Sequence, residues 1–64
     1  MRRVFKEIKG EFIEVKMKEI RKGDTFKMYE SNGDSVLGNY GEDIFVASSN
    51  AYLDSCETYT VDIE

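Results

Sequence analysis

Sixty-four residues with one cysteine and no histidine allow one domain at most, no internal disulfide, and no ordinary zinc site, since zinc takes sulfur and nitrogen ligands. A hydrophobic content of 41%, with four Phe and four Tyr, favours folding over disorder. No apolar run is long enough for a membrane span or signal peptide, and one free thiol without an export signal points to a reducing cytoplasm.

The net charge of −4 hides a division. Residues 1–22 hold eight Lys/Arg and four Glu, a net of +4, and residues 23–64 hold one Lys and nine Asp/Glu, a net of −8, which together give −4. Such asymmetry can mark a nucleic-acid or membrane patch. It can equally mean that the two halves pair as neighbouring strands and neutralise each other.

In chain order, 3–8 (RVFKEI) and 11–16 (EFIEVK) are strand-like runs around Lys9-Gly10, the pattern of a hairpin. A two-residue loop puts Val4 opposite Val15 and Lys6 opposite Ile13. A glycine bulge would put Glu7 opposite Glu11, and like charges directly opposite repel, so the first register is expected. Ile13, Val15 and Met17 alternate onto one apolar face. The stretch 17–26 (MKEIRKGDTF) then organises the chain. Met17 and Ile20, three apart, share one side of a helical turn. Gly23 supplies a positive φ, and Asp24 is placed to bond the backbone two residues on.

A strand follows at 25–30, with Phe26 and Met28 on one face. Asn32-Gly33 suits the central positions of a type I′ turn, with a short return strand at 35–38 and a polar loop at 39–43. Residues 44–47 (IFVA) fit a strand buried on both faces. A brief run at 51–53, a polar turn at 54–57 and a last strand at 58–63 complete the chain. Short antiparallel strands in so small a domain favour closure or strong curling, which removes exposed edges. The predicted core is Val4, Ile13, Val15, Ile20, Phe26, Met28, Val36, Phe45, Ala47, Tyr59 and Val61.

Catalytic machinery is sparse. Without histidine there is no Ser-His or Cys-His pair. Cys56 lies between Asp54 and Glu57, whose charges disfavour a thiolate. Asp/Asn residues do not alternate before a glycine as a calcium loop requires, and no glycine-rich loop cradles a phosphate. The expectation is a non-enzymatic chain with no cofactor and no metal. The candidate partner face is the basic N-terminal region: Arg3, Lys6, Lys9, Phe12, Lys16, Lys18 and Arg21. Basic residues with exposed rings, Phe5 or Phe12 here, are how small barrels hold single-stranded nucleic acid. Against that reading, the phenylalanines can fill the core, Glu7, Glu11, Glu14 and Glu19 cancel the field, and an acidic domain repels polyanions.

Ile20, Lys22-Gly23-Asp24, Phe26, Tyr29-Glu30, Asn32-Gly33, Phe45-Val46-Ala47, Asn50-Ala51-Tyr52-Leu53 and Tyr59-Thr60-Val61 together resemble small phage and prophage proteins of no assigned activity. The resemblance spans residues 17–63. K-G-D-x-F corners also open strands in many SH3-like barrels. It implies a small β-barrel of phage or mobile-element origin and transfers no site residues. The expected architecture over 1–64 is therefore mainly β, a small SH3-like or partly open antiparallel barrel of five to six strands with one short helical turn. The expected function is an interaction or assembly module whose partner is a protein, itself included. The alternative is a nucleic-acid-binding barrel using the basic hairpin.

Overall fold

In the computed structural model, which describes residues 2–64, strands β1 (Arg3–Ile8) and β2 (Glu11–Val15) form the first hairpin. Val4 faces Val15 and Lys6 faces Ile13, while Glu7 lies opposite Phe12 rather than Glu11. Lys9 and Gly10 both take positive φ, 51° and 84°, as a type I′ loop demands. The avoided carboxylate pair and the two-residue loop agree on one register.

A single 3₁₀ turn, Met17–Glu19, follows. The Glu19 carboxylate accepts the Lys16 N–H at 2.7 Å, and the Glu19 N–H donates to the Lys16 carbonyl at 2.9 Å. The turn delivers Ile20 to the interior, where it is fully buried, with Met17 packed beside it. The corner comes next. Gly23 has φ 91°, and the Asp24 N–H donates to the Arg21 carbonyl at 3.0 Å. Four bonds tie the corner to residues 47–51: Gly23 N–H to the Ala47 carbonyl (2.8 Å), Ala47 N–H to the Asp24 carbonyl (2.9 Å), Ala51 N–H to the Ile20 carbonyl (3.0 Å), and Lys22 N–H to Asn50 Oδ1 (2.8 Å). The Asp24 carboxylate points backward, not two residues on. It accepts the Arg21 N–H at 2.8 Å and meets Lys6 Nζ at 2.9 Å.

Strands β3 (Thr25–Tyr29) and β4 (Phe45–Val46) extend the sheet to the order β2-β1-β3-β4, and β5 (Tyr52–Leu53) with β6 (Tyr59–Thr60) form a separate two-stranded sheet. All named pairings are antiparallel. The C-terminal segment runs beside β4: Ala47 bridges Ile63, the Ser48 N–H donates to the Asp62 carbonyl (2.8 Å) and the Glu64 N–H to the Val46 carbonyl (3.0 Å). The fold is mainly β with one 3₁₀ turn. Among the described residues no ladder joins β2 to β6, so no closed barrel forms.

Val4, Ile20, Phe26, Phe45 and Ala47 are buried, and Val15, Met17, Met28, Val36 and Val61 pack against them. Phe26 and Phe45 lie with ring centroids 5.8 Å apart. Two expected core residues are outside. Ile13 is 44% exposed, because β2 is the edge and Lys6, reaching to Asp24, stands between Ile13 and Phe26. Tyr59 is 42% exposed, because β6 ends at Thr60 and the expected alternation through Ile63 is not sustained. The run 44–47 is buried on one face only: Phe45 and Ala47 point in, Ile44 and Val46 out. The return strand at 35–38 reduces to one bridge, Ser35 to Tyr29.

Asn32-Gly33 does not form a type I′ loop. Only Gly33 has positive φ, 93°. Its N–H donates to the Glu30 carbonyl (2.9 Å), the Glu30 N–H donates to the Asp34 carbonyl (2.7 Å), and Asn32 Oδ1 accepts the Asp34 N–H (3.0 Å). The Asn side chain thus bonds locally instead of entering the left-handed region. The same five-residue bonding recurs at 38–42 and 54–58, with Gly41 (φ 79°) and Glu57 (φ 58°) in the position of Gly33.

Candidate interaction surface

Pairing across the sheet decides which side chains share a face. Val4, Lys6, Ile13, Val15, Phe26 and Met28 share the inner face. Arg3, Phe5, Glu7, Phe12, Glu14, Lys27 and Tyr29 therefore share the outer one. Phe5 and Tyr29 meet edge to face, 5.4 Å between centroids and 86° between planes. Lys27 Nζ stands 4.4 Å from the Phe12 centroid and 5.7 Å from that of Tyr29, and Arg3 Cζ lies 5.3 Å from that of Phe5. Cations so placed are attracted to the ring faces. A shallow groove of about 430 Å³ runs over these residues to the turn at Glu30, Ser31 and Gly33.

The charges on this face largely cancel. Arg3 binds Glu14 with two bonds, Nε–H to Oε2 at 2.9 Å and Nη2–H to Oε1 at 3.0 Å. That fork holds the Glu14 carboxyl below its usual range and the Arg3 guanidinium above its own. Arg2 pairs with Glu30 at the groove's end. Two of the three ion pairs among the described residues, Arg2–Glu30 and Lys6–Asp24, join the basic N-terminal part to the acidic remainder. Ion pairs beside the ends of β1 and β3 thus neutralise part of the charge division.

Of the expected partner residues, Arg3 and Phe12 both line the groove. Lys6 is on the opposite face, bound to Asp24. Lys9 sits at the tip of the first hairpin, Lys16 and Lys18 at the 3₁₀ turn, and Arg21 at the corner, so the seven do not form one face. Lys27 and Tyr29 belong to the groove and lie outside the N-terminal charge cluster. The alternation of 25–30 places them opposite Phe26 and Met28, and the pairing of β3 with β1 brings them to Phe5.

A second groove of about 700 Å³ opens between the β1–β2 hairpin and β6, lined by Val15, Met17 and Tyr59 among others. On the β5–β6 side the Tyr52 hydroxyl donates to Asp62 Oδ1 at 2.9 Å, which pushes the phenol pKa up. Cys56 is free and exposed, and its N–H donates to Asp54 Oδ1 at 2.9 Å. Among the described residues no three His, Cys, Asp or Glu converge as a metal site would require, and no helix is long and apolar enough to cross a membrane. The chain matches no protein family, no curated protein and no solved structure.

Proposed function

We propose that this chain is a non-enzymatic interaction and assembly module that associates with a second copy of itself, built on a small, partly open SH3-like barrel. One observation carries the reading. Among the described residues five side chains are buried while ten large apolar ones are exposed, among them Ile8 and Ile13, which lie diagonally across the first hairpin on one face. Neighbouring exposed apolar residues mark surfaces that meet other molecules, and a chain of this length buries only roughly 60% of its unfolded surface on its own. The barrel reading is supported by the C-terminal segment along β4 and by the approach of β6 to the Met17–Glu19 turn. The groove between the first hairpin and β6 is its opening. The likeness of 17–63 to small phage proteins adds a mobile-element origin to the reading, and an exposed lone thiol suits a reducing cytoplasm.

Sedimentation equilibrium over a wide concentration range tests self-association. The expected mass rises from 7.4 kDa toward twice that value, and a constant monomer mass refutes it.

A second reading, binding of single-stranded nucleic acid, is favoured by Phe5, Phe12 and Tyr29 lying with Arg3 and Lys27 on one face, since bases stack on such rings. It is opposed by the pairing of Arg3 with Glu14. Nonspecific binding needs several uncancelled phosphate contacts, so no affinity tighter than about millimolar is expected at physiological salt. A micromolar dissociation constant in an oligonucleotide titration would reverse the order of the two readings.

A further inference from the structure

We infer that the β2 edge is the surface through which two copies join, in antiparallel register about a two-fold axis at Ile13; this rests on the self-association proposed above. β2 is terminal in the sheet order. In the first hairpin the residues flanking the two-residue loop, Ile8 and Glu11, are a hydrogen-bonded pair, and alternation makes Lys6–Ile13 and Val4–Val15 the next two. Phe12 and Glu14 therefore present their N–H and C=O groups to the open edge, a ready template for another strand.

Two such edges can pair only where outward-directed residues face each other, which restricts the two-fold axis to a residue rather than a point between residues. An axis at Glu14 sets two carboxylates opposite each other, which is unfavourable. An axis at Phe12 leaves Glu14 and Val15 facing the loop residues Gly10 and Lys9. An axis at Ile13 uses all of β2: Phe12 faces Glu14 of the second copy, Glu11 faces Val15, and Ile13 faces itself. No like charges oppose each other. The ladder stops at Val15, because the Lys16 N–H is already taken by Glu19.

The side chains agree with this register. On the inner face the half-exposed Ile13 gains its own copy as an apolar neighbour. On the outer face Lys27, held 4.4 Å over Phe12, is brought toward the Glu14 carboxylate of the second copy, which Arg3 already binds from its own chain. The charges along β2 thus select one register while permitting pairing. The two aromatic grooves become continuous across an eight-stranded sheet.

Cross-linking tests it, in a Cys56→Ser background so that no native thiol interferes. Facing residues of a non-hydrogen-bonded pair have Cα atoms about 4.5 Å apart, at the lower end of the disulfide window. Ile13→Cys should oxidise to a covalent dimer, with most of the chain converted. Phe12→Cys should not, because two copies of Phe12 lie diagonally at roughly 8 Å, beyond disulfide reach. Ile13 is exposed, so folding survives its replacement, and circular dichroism checks this. If the wild type sediments as a dimer but Ile13→Cys cross-links no better than Phe12→Cys, the β2 interface is wrong while self-association stands. If the wild type stays monomeric up to roughly millimolar concentration, the weak end of specific association, both are overturned.

Discussion

Replacing Asp24 tests whether the corner holds the fold together. Its carboxylate accepts the Arg21 N–H at 2.8 Å and pairs with Lys6 at 2.9 Å, with both charged side chains less than a quarter exposed. Hydrogen bonds to charged groups contribute about 1.5–3 kcal/mol each, and water partly replaces the Arg21 contact, so Asp24→Ala should cost about 2–3 kcal/mol. A chain of 64 residues has only about 3–10 kcal/mol of stability to lose. The corresponding drop in Tm is roughly 10–20 °C, measurable by thermal denaturation with circular dichroism. Desolvation raises the Asp24 pKa, but the Arg21 amide and the Lys6 and Arg21 charges outweigh it, leaving the carboxyl below its usual value. A depressed carboxylate pKa adds stability that is present above the unfolded value of about 3.9 and is lost as pH falls through the folded one. The gap between wild type and Asp24→Asn should therefore be full at neutral pH and shrink below about pH 4. In a double-mutant cycle with Lys6→Met, the coupling should reach at least about 0.5 kcal/mol. A loss below about 0.5 kcal/mol for Asp24→Ala, the range of ordinary surface changes, would refute the role given to the corner.

Gly23→Ala should lower stability by about 1 kcal/mol or more, because φ 91° is strained for any residue with a Cβ; an unchanged denaturation midpoint would count against it. Glu57→Gly should raise stability by about 0.5 kcal/mol, since the left-handed cost of about 1–2 kcal/mol is relieved and part is returned as unfolded-chain entropy; urea titration reads the sign. Cys56→Ser should shift stability by less than about 0.5 kcal/mol, because the residue is exposed, and a loss of several degrees in Tm would contradict that exposure.

Local chemistry was the legible part of this chain. The repulsion between Glu7 and Glu11 was enough to choose the register of the first hairpin, although Lys9-Gly10 is not a favoured type I′ pair. Glycine's tolerance of positive φ marked the corner at Gly23, and the spacing of Met17 and Ile20 marked the turn before it. Non-local choices were not legible. Nothing in the alternation of Ile13, Val15 and Met17 says that Lys6 will cross toward Asp24 and leave Ile13 beside water. The candidate surface was half legible for the same reason. Charge counted along the chain assigned it to residues 1–22, whereas the sheet places β3 beside β1, setting Tyr29 and Lys27 next to Arg3 and Phe5, with Lys27 reaching over Phe12. One local choice was missed as well: Asn32-Gly33 has the composition of a two-residue loop, yet the Asn side chain found a backbone partner two residues on, and a longer loop resulted.

The core and the edge bear on each other through the same side chains. Lys6 is the one position of the inner-face row Ile13–Lys6–Phe26–Phe45 that is not apolar. An aliphatic residue there would join Ile13 to Phe26 and enlarge the core, but Asp24 would lose its partner and the corner would loosen. The chain keeps the ion pair, which fixes the corner that Ala47 and Ala51 are tied to. The consequence is a half-exposed apolar residue in the middle of an open edge strand that also carries Glu11 and Glu14. Charged residues beside an edge strand oppose indiscriminate pairing, while an apolar residue at its centre rewards the one register that brings it against itself. The arrangement that limits the size of the core is thus the one that leaves Ile13 available to a second copy.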